Sequence, residues 1–211
     1  MNNNHLETLN EIKSLMHRSS KFTALSGLSG IAAGIVATAG SVIFSLYFHL
    51  GFFEQVPGIT LHSKDHPVVS VTFVFILLCT VFILAAILAV YFSSRNAKSR
   101  NIIFRDAMAK RVIMNFAVFL LTGGIFCMIL FYYGIYFLIV SSMLIFYGLA
   151  LINVSKFTFN ENARLGVLEI CLGILAALAP EYPLLIWVTG FGLLHIVFGI
   201  YVYLKYESAG T

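Results

Sequence analysis

Two ionisable residues lie deep within apolar stretches near the carboxyl end of the chain. Glu169 interrupts the apolar run from Leu165 to Ala179, and His195 interrupts the run from Leu184 to Leu204. An unpaired charge at the centre of a membrane helix costs about 2.5–3.5 kcal/mol on insertion scales. Pairing of the two side chains, or protonation of the carboxylate, removes much of this cost. The chemistry that these residue types offer is therefore proton exchange between a carboxyl and an imidazole group.

The two runs form a helical hairpin that places both side chains at the same depth. Pro180 and Pro183 mark the turn, where a missing N–H group does least harm. About 20 residues, at about 1.5 Å each, cross a hydrocarbon core about 30 Å thick. Glu169 lies about 3 Å, and His195 about 2 Å, from the midpoint of its helix on the same side. The pair is interpreted either as a structural contact that fixes helix register or as a functional proton or ligand site; the third alternative is that the two residues do not meet.

The composition is that of a membrane protein. The chain of 211 residues is 60% hydrophobic and only 10% charged, which is too apolar for an ordinary soluble domain. We predict an all-α polytopic transmembrane helical bundle of six spans, arranged as three hairpins over residues 22–205. The spans are expected at about 22–50, 68–92, 112–131, 135–153, 162–180 and 183–204, followed by a cytoplasmic tail at 206–211.

The amino-terminal segment 1–21 predicts a short amphipathic helix ahead of the first span. Leu6, Leu9, Ile12 and Met16 recur at helical spacing, and charged residues occupy the other faces. We expect such a helix to lie on the cytoplasmic membrane surface, to dock against the protein's own loops or to bind a cytoplasmic protein partner. The segment is polar throughout, so no cleavable signal peptide is expected.

A face of small residues recurs every four positions in the first span. It consists of Ser26, Gly30, Gly34 and Thr38. Small side chains allow another helix to approach closely. The face therefore predicts either packing inside the bundle or a homodimer contact.

The first loop carries the candidate metal ligands of the sequence. With the end of the preceding helix, it supplies His49, His62, Asp65 and His66. His62 and His66 share a face if the segment is helical, and zinc accepts imidazole and carboxylate ligands. Pro57 and Pro67 break helical periodicity here, so solvated loop residues are the first interpretation and a metal site the alternative.

The distribution of cations predicts the orientation in the membrane. With six spans, all lysines and arginines except Lys64 fall on one side, including the basic central segment from Arg95 to Arg111. Loops rich in lysine and arginine stay cytoplasmic. Both termini are therefore expected in the cytoplasm, and the histidine-containing loop is expected outside. The basic segment is interpreted as a topology and headgroup signal, with no role in binding nucleic acid.

The last two hairpins align at a shift of about 49 residues, typical of duplicated units. Gly124 aligns with Gly173 and Lys156 with Lys205, whereas the pair of Glu169 and His195 is not duplicated. The segment GVLEICLGILAALAPEYPLLIWVTGFGLLHIVFGI resembles the hairpin repeat of the HdeD-like acid-resistance membrane proteins. Over its whole length the chain looks more like an uncharacterised family of bacterial six-span membrane proteins. These resemblances imply six spans and a bacterial cytoplasmic (inner) membrane, and they assign no functional residue.

Three functions of different classes fit the sequence. The first is a non-enzymatic multi-pass membrane protein of structural, sensory or regulatory type, related to envelope or acid stress, with the lipid bilayer and a second copy of the chain as partners. The second is a small proton-coupled transporter or channel that uses Glu169 and His195. The third is an intramembrane metal or haem protein with His49 and His195 as iron ligands, although their depths differ. Because no catalytic or nucleotide-binding motif occurs, neither an enzyme nor a cofactor is expected.

Overall fold

The computed structural model of this protein describes residues 26–53, 67–99 and 107–208, and this part of the chain is helical without any strand. The first four helices are α1 (Gly27–Phe48), α2 (Pro67–Ser99), α3 (Ala107–Tyr132) and α4 (Ile139–Ser155), the last preceded by a 3₁₀ turn at Tyr136–Leu138. They are followed by α5 (Glu161–Leu178) and by a composite helix. The composite helix consists of α6 (Pro183–Trp187), a π turn (Val188–Leu194), α7 (His195–Val202) and a terminal π turn (Tyr203–Glu207).

Five of the described helices are long and apolar enough to cross a membrane. They are Gly27–Phe48, Thr72–Lys98, Ala109–Tyr132, Tyr136–Ser155 and Pro183–Glu207. Helix α5 is not among them, because its 18 residues include Glu161, Asn162, Arg164 and Glu169. At about 1.5 Å per residue it is nevertheless about 27 Å long, close to the thickness of a hydrocarbon core.

The helix ends differ from the predicted span ends, because hydropathy reports lipid contact and a helix continues beyond it. Helix α2 runs to Ser99 and α3 begins at Ala107, so both extend into the basic segment between them. The last predicted span, 183–204, is interrupted by a π turn that its uniform apolar pattern does not reveal. The predicted amphipathic helix at 1–21 lies outside the described residues.

The small-residue face of the first span packs against the composite helix of the same chain. A Cβ atom added at Gly30 would lie 3.1 Å from the Gly199 Cα, and one at Gly34 would lie 2.7 Å from the Gly192 carbonyl oxygen. Thr38 lies at the next turn, opposite Gly192. Backbones this close require glycine on both helices, so the face is occupied within the protomer.

Helices α4 and α5 approach each other through a second set of small residues. A Cβ atom at Gly148 would lie 2.5 Å from the Gly166 carbonyl oxygen, and one at Gly166 would lie 2.5 Å from the Gly148 oxygen. Two turns further along, the Ser141 hydroxyl donates to the Gly173 carbonyl at 2.7 Å. This reciprocal contact holds α5 firmly against α4 and thereby sets the position of Glu169.

The beginning of α1 and the end of the composite helix lie at the same end of the molecule. The Ser26 hydroxyl donates to the Glu207 carboxylate at 3.0 Å, and the Gly27 N–H group also donates to Glu207. A carboxylate at a helix amino terminus is favourable because it meets free N–H groups and the positive end of the dipole. Beside it, Lys205 Nζ donates to the Glu161 carboxylate at 2.5 Å, which joins α5 to this end.

Candidate functional site

Three helices contribute side chains to one buried cluster at mid-height. Helix α4 supplies Tyr147, α5 supplies Glu169, and the composite helix supplies His195. His195 is the middle residue of Pro183–Glu207, and the other two lie near the middle of their helices. We refer to Tyr147, His195 and Glu169 as the triad.

The hydrogen bonds of His195 define which ring nitrogen carries a proton. Nδ1 lies 3.0 Å from the Gly190 carbonyl oxygen, and a carbonyl can only accept, so Nδ1 is the donor. Nε2 lies 2.6 Å from the Tyr147 hydroxyl oxygen. In a neutral imidazole Nε2 accepts from the Tyr147 O–H, and in an imidazolium it donates to the same oxygen. Tyr147 therefore accommodates either charge state of His195.

Glu169 is the most unusual member of the triad. Its side chain is fully buried at 0% exposure, and neither carboxyl oxygen has a hydrogen-bond partner among the described residues. Oε1 lies 3.4 Å from His195 Nδ1, close enough for an ion pair but long for a hydrogen bond. Buried polar atoms are nearly always hydrogen-bonded, so this carboxyl group is an exception that needs a specific explanation.

The π turn brings its backbone against this carboxyl group. A Cβ atom at Gly190 would lie 2.8 Å from Glu169 Oε2 and 2.6 Å from Leu144 Cδ2, so a larger residue there would displace both side chains. The Thr189 hydroxyl donates to the Leu185 carbonyl four residues earlier at 2.7 Å. Such back-bonding frequently accompanies distortion of a helix, and short π turns occur frequently at functional sites.

The triad has two arrangements of one proton. In the neutral arrangement Glu169 carries the proton, and the His195 Nδ1–H group donates to the Gly190 carbonyl. In the ionised arrangement the proton is on the imidazole, and Glu169 competes with Gly190 for the Nδ1–H group. The surroundings are apolar, since Leu144, Ala176 and Ile186 form the adjoining core. The pair can therefore move this proton between its two side chains in a low-dielectric environment, and release of the proton leaves a carboxylate beside a neutral imidazole.

A second titratable contact lies at the end of the molecule that carries Ser26 and Glu207. Burial raises the pKa of Glu161, but hydrogen bonds from Lys205, from its own backbone N–H and from Tyr206 outweigh burial and leave the pKa below its ordinary value. Tyr206 donates to the Glu161 carboxylate at 2.9 Å. Glu161 is therefore ionised at neutral pH and holds α5 to the terminal π turn.

The structure does not bring His49 near His195. His49 caps the carboxyl end of α1 with a left-handed φ of 54°, whereas the His195 carbonyl faces Gly30 near the start of α1. His49 lies nineteen residues after Gly30 along the helix, which corresponds to a rise of about 28 Å. The two imidazoles therefore cannot share a haem iron within one chain. His62, Asp65 and His66 lie outside the described residues, and the described part holds no cluster of three side chains suited to a metal ion.

Sequence reasoning missed two residues of the site, Tyr147 and Gly190. The depth of Tyr147 could have been predicted in the same way as the depths of Glu169 and His195, because Tyr147 lies near the middle of the fourth predicted span. Its neighbour in space could not be derived, since nothing in the sequence states that α4 faces the composite helix. Gly190 carried no signal, because glycines are common throughout this segment.

The fold and the site together define a class: a helical protein whose described part has five helices long and apolar enough to cross a membrane. Its site is a triad of a half-buried tyrosine with a buried histidine and a buried glutamate. Comparison of the chain with protein-family models, with curated proteins and with solved structures gives no match.

Proposed function

We propose that this chain is a non-enzymatic multi-pass membrane protein of sensory or regulatory type, in which the triad acts as a proton-responsive element. The observation that carries the proposal is the fully buried carboxyl group of Glu169. Its oxygens have no hydrogen-bond partner in the described part of the chain, and it faces His195 at 3.4 Å. Because this buried carboxyl group contributes little to the stability of the fold, we infer that it serves a function.

The enclosure of the pair favours a switch over a transport pathway. Glu169 and His195 are 0% and 5% exposed, and Gly190, Leu144 and Leu172 pack beside the carboxyl group. A relay for transport requires water or substrate to reach its ionisable groups from each side in turn. A sealed pair instead changes helix packing when its charge changes.

We further propose that the chain crosses the membrane six times, with α5 as the fifth span. The contact of Ser26 and Gly27 with Glu207 supports an even number, because the first helix begins where the last one ends. The predominance of cations at the ends predicted to be cytoplasmic supports placing both termini in the cytoplasm. The resemblance to bacterial six-span proteins supports the inner membrane of a bacterium as the location.

The test is infrared spectroscopy of the full-length protein reconstituted in lipid, recorded across a pH series. A carbonyl stretch of a protonated carboxylic acid should appear on acidification and be lost in Glu169→Gln. The control variant Glu181→Gln alters an exposed glutamate in the turn before α6 and should retain the band. The proposal is wrong if no titrating band depends on Glu169.

Proton flux into liposomes separates the two functional classes. The switch predicts no flux above that of empty liposomes, in the wild type and in Glu169→Gln alike. Flux that depends on Glu169 would overturn the regulatory role in favour of a proton-coupled transporter.

A further inference from the structure

The π turn Val188–Leu194 connects the triad with the first helix. On one side, Gly190 lies against the Glu169 carboxyl group. On the other, Gly192 lies against Thr38, since a Cβ atom there would be 2.6 Å from the Thr38 Oγ1. Any change in the winding of this turn therefore alters the contacts of both the site and α1.

His195 itself holds the turn in its wide form. Its Nδ1–H group donates to the carbonyl of Gly190, five residues earlier, which in a regular α-helix would accept from the N–H group of Leu194. Glu169 Oε1 competes for the same Nδ1–H group at 3.4 Å. An ionised carboxylate is a stronger acceptor than a carbonyl, because charge-assisted hydrogen bonds are about twice as strong as neutral ones.

We propose that the π turn is a register switch: when Glu169 releases its proton to solvent, its carboxylate takes the His195 Nδ1–H group, the Gly190 carbonyl is released and the turn tightens to α-helix. This inference rests on the proposed function and identifies the moving part. Winding the same residues as α-helix rotates α6 relative to α7 by about 100° and moves it by about 1.5 Å along the axis. Such a change exchanges one discrete packing arrangement for another.

The anchoring contacts decide which half moves. The carboxyl-terminal half is fixed by Gly199 against α1, by Glu207 at the start of α1 and by Lys205 on Glu161. The amino-terminal half, α6, contributes the buried apolar side chains of Leu184 and Ile186. Every residue of Leu184 to Trp187 is apolar, so a rotation replaces one apolar face by another without burying a charge.

The charge state of the pair is subject to few other groups. Within the described residues, the titratable side chain that faces the pair from α4 is Tyr147, and α1 and α6 contain no acidic or basic residue at all. On α5, Arg164 is exposed to solvent and Glu161 pairs with Lys205 of the composite helix. The carboxylate of Glu207 accepts from the Ser26 hydroxyl. The switch is therefore expected to respond to a single proton.

The chain contains a natural reporter of this movement. Trp187 is its single tryptophan, lies directly before the π turn and contacts Phe191, with ring centroids 4.6 Å apart. Its fluorescence emission should shift with pH at the midpoint of the Glu169 infrared band. The shift should be absent in Glu169→Gln, which has no carboxyl proton to release.

Deletion of Leu193 tests the switch directly. This residue is 57% exposed. Its removal allows the turn to wind as α-helix while α6 and α7 keep their present orientations. In the deletion variant the infrared band should still titrate, but the Trp187 shift should be lost. The matched control Leu193→Ala keeps the chain length and should retain both. Persistence of the Trp187 shift in the deletion variant would overturn the proposal.

A distance measurement on the undeleted chain decides the matter if the deletion variant does not fold. Spin labels at the exposed native Cys171 on α5 and at Leu185→Cys on α6, with Cys79 and Cys127 changed to alanine, report the rotation. A rotation of about 100° on a cylinder of 2.3 Å radius moves the Cα atom by about 3.5 Å. An unchanged distance while the infrared band titrates refutes the switch and leaves the proposed function standing; a silent band refutes both.

Discussion

Glu169 is expected to destabilise the fold that contains it. Its carboxyl group is fully buried and forms no hydrogen bond in the described structure, whereas His195 is already satisfied by Gly190 and Tyr147. A buried unsatisfied polar group costs about 1–3 kcal/mol, and replacement of a buried ionic group by an apolar one of similar volume is often stabilising. Glu169→Met should therefore raise the free energy of unfolding by about 1–3 kcal/mol.

Removal of the partner should have the opposite effect. His195→Leu leaves the Tyr147 hydroxyl and the Gly190 carbonyl without their partner and Glu169 without a neighbouring imidazole. Two lost hydrogen bonds at about 0.5–1.5 kcal/mol each, with the cost of groups left unsatisfied, give a loss of about 2–4 kcal/mol.

Reversible unfolding of the purified protein in mixed micelles at neutral pH, followed by circular dichroism, measures both changes. The reasoning predicts opposite signs for the two variants. If Glu169→Met lowers the free energy of unfolding by 2 kcal/mol or more, the carboxylate is a stabilising member of an ion pair, and the description of Glu169 as unsatisfied is refuted.

Three further predictions use the same unfolding assay. Tyr147→Phe removes the hydroxyl on His195 Nε2 and should cost about 0.5–1.5 kcal/mol without loss of the fold; an unchanged stability would argue against this bond. Because its pKa is lowered, Glu161 stabilises the native state at pH values above 4.5, which is the ordinary pKa of a glutamate. This contribution is lost as pH falls through the lowered pKa. Glu161→Gln should therefore flatten the stability profile below pH 4.5, and a wild-type profile that is already flat there would contradict the contact. Gly148→Ala should cost about 1–3 kcal/mol, because its Cβ atom meets the Gly166 oxygen at 2.5 Å. The control Gly124→Ala, with nothing within 4 Å, should gain about 0.5–1 kcal/mol, and equal effects of the two alanines would contradict the close packing of α4 and α5.

The depth argument succeeded for Glu169 and His195 because it needs only helix rise and the position of a turn. It failed for Tyr147 because partner choice among helices depends on surfaces that do not follow from chain order. Helix α5 packs along α4 through Gly148 and Gly166, and this contact, more than the hairpin turn, brings Glu169 beside the composite helix. The π turn was likewise invisible, since hydropathy does not distinguish α from π winding.

By itself the sequence determined the helical class, the apolar lengths and the common depth of one acid and one imidazole, because these follow from local residue properties and a fixed rise per residue. Only the tertiary structure decided which helices are neighbours, that a tyrosine completes the cluster and that the glutamate has no hydrogen-bond partner among the residues described. Those features depend on how closely glycine faces allow backbones to approach, and close packing is a property of the assembled bundle.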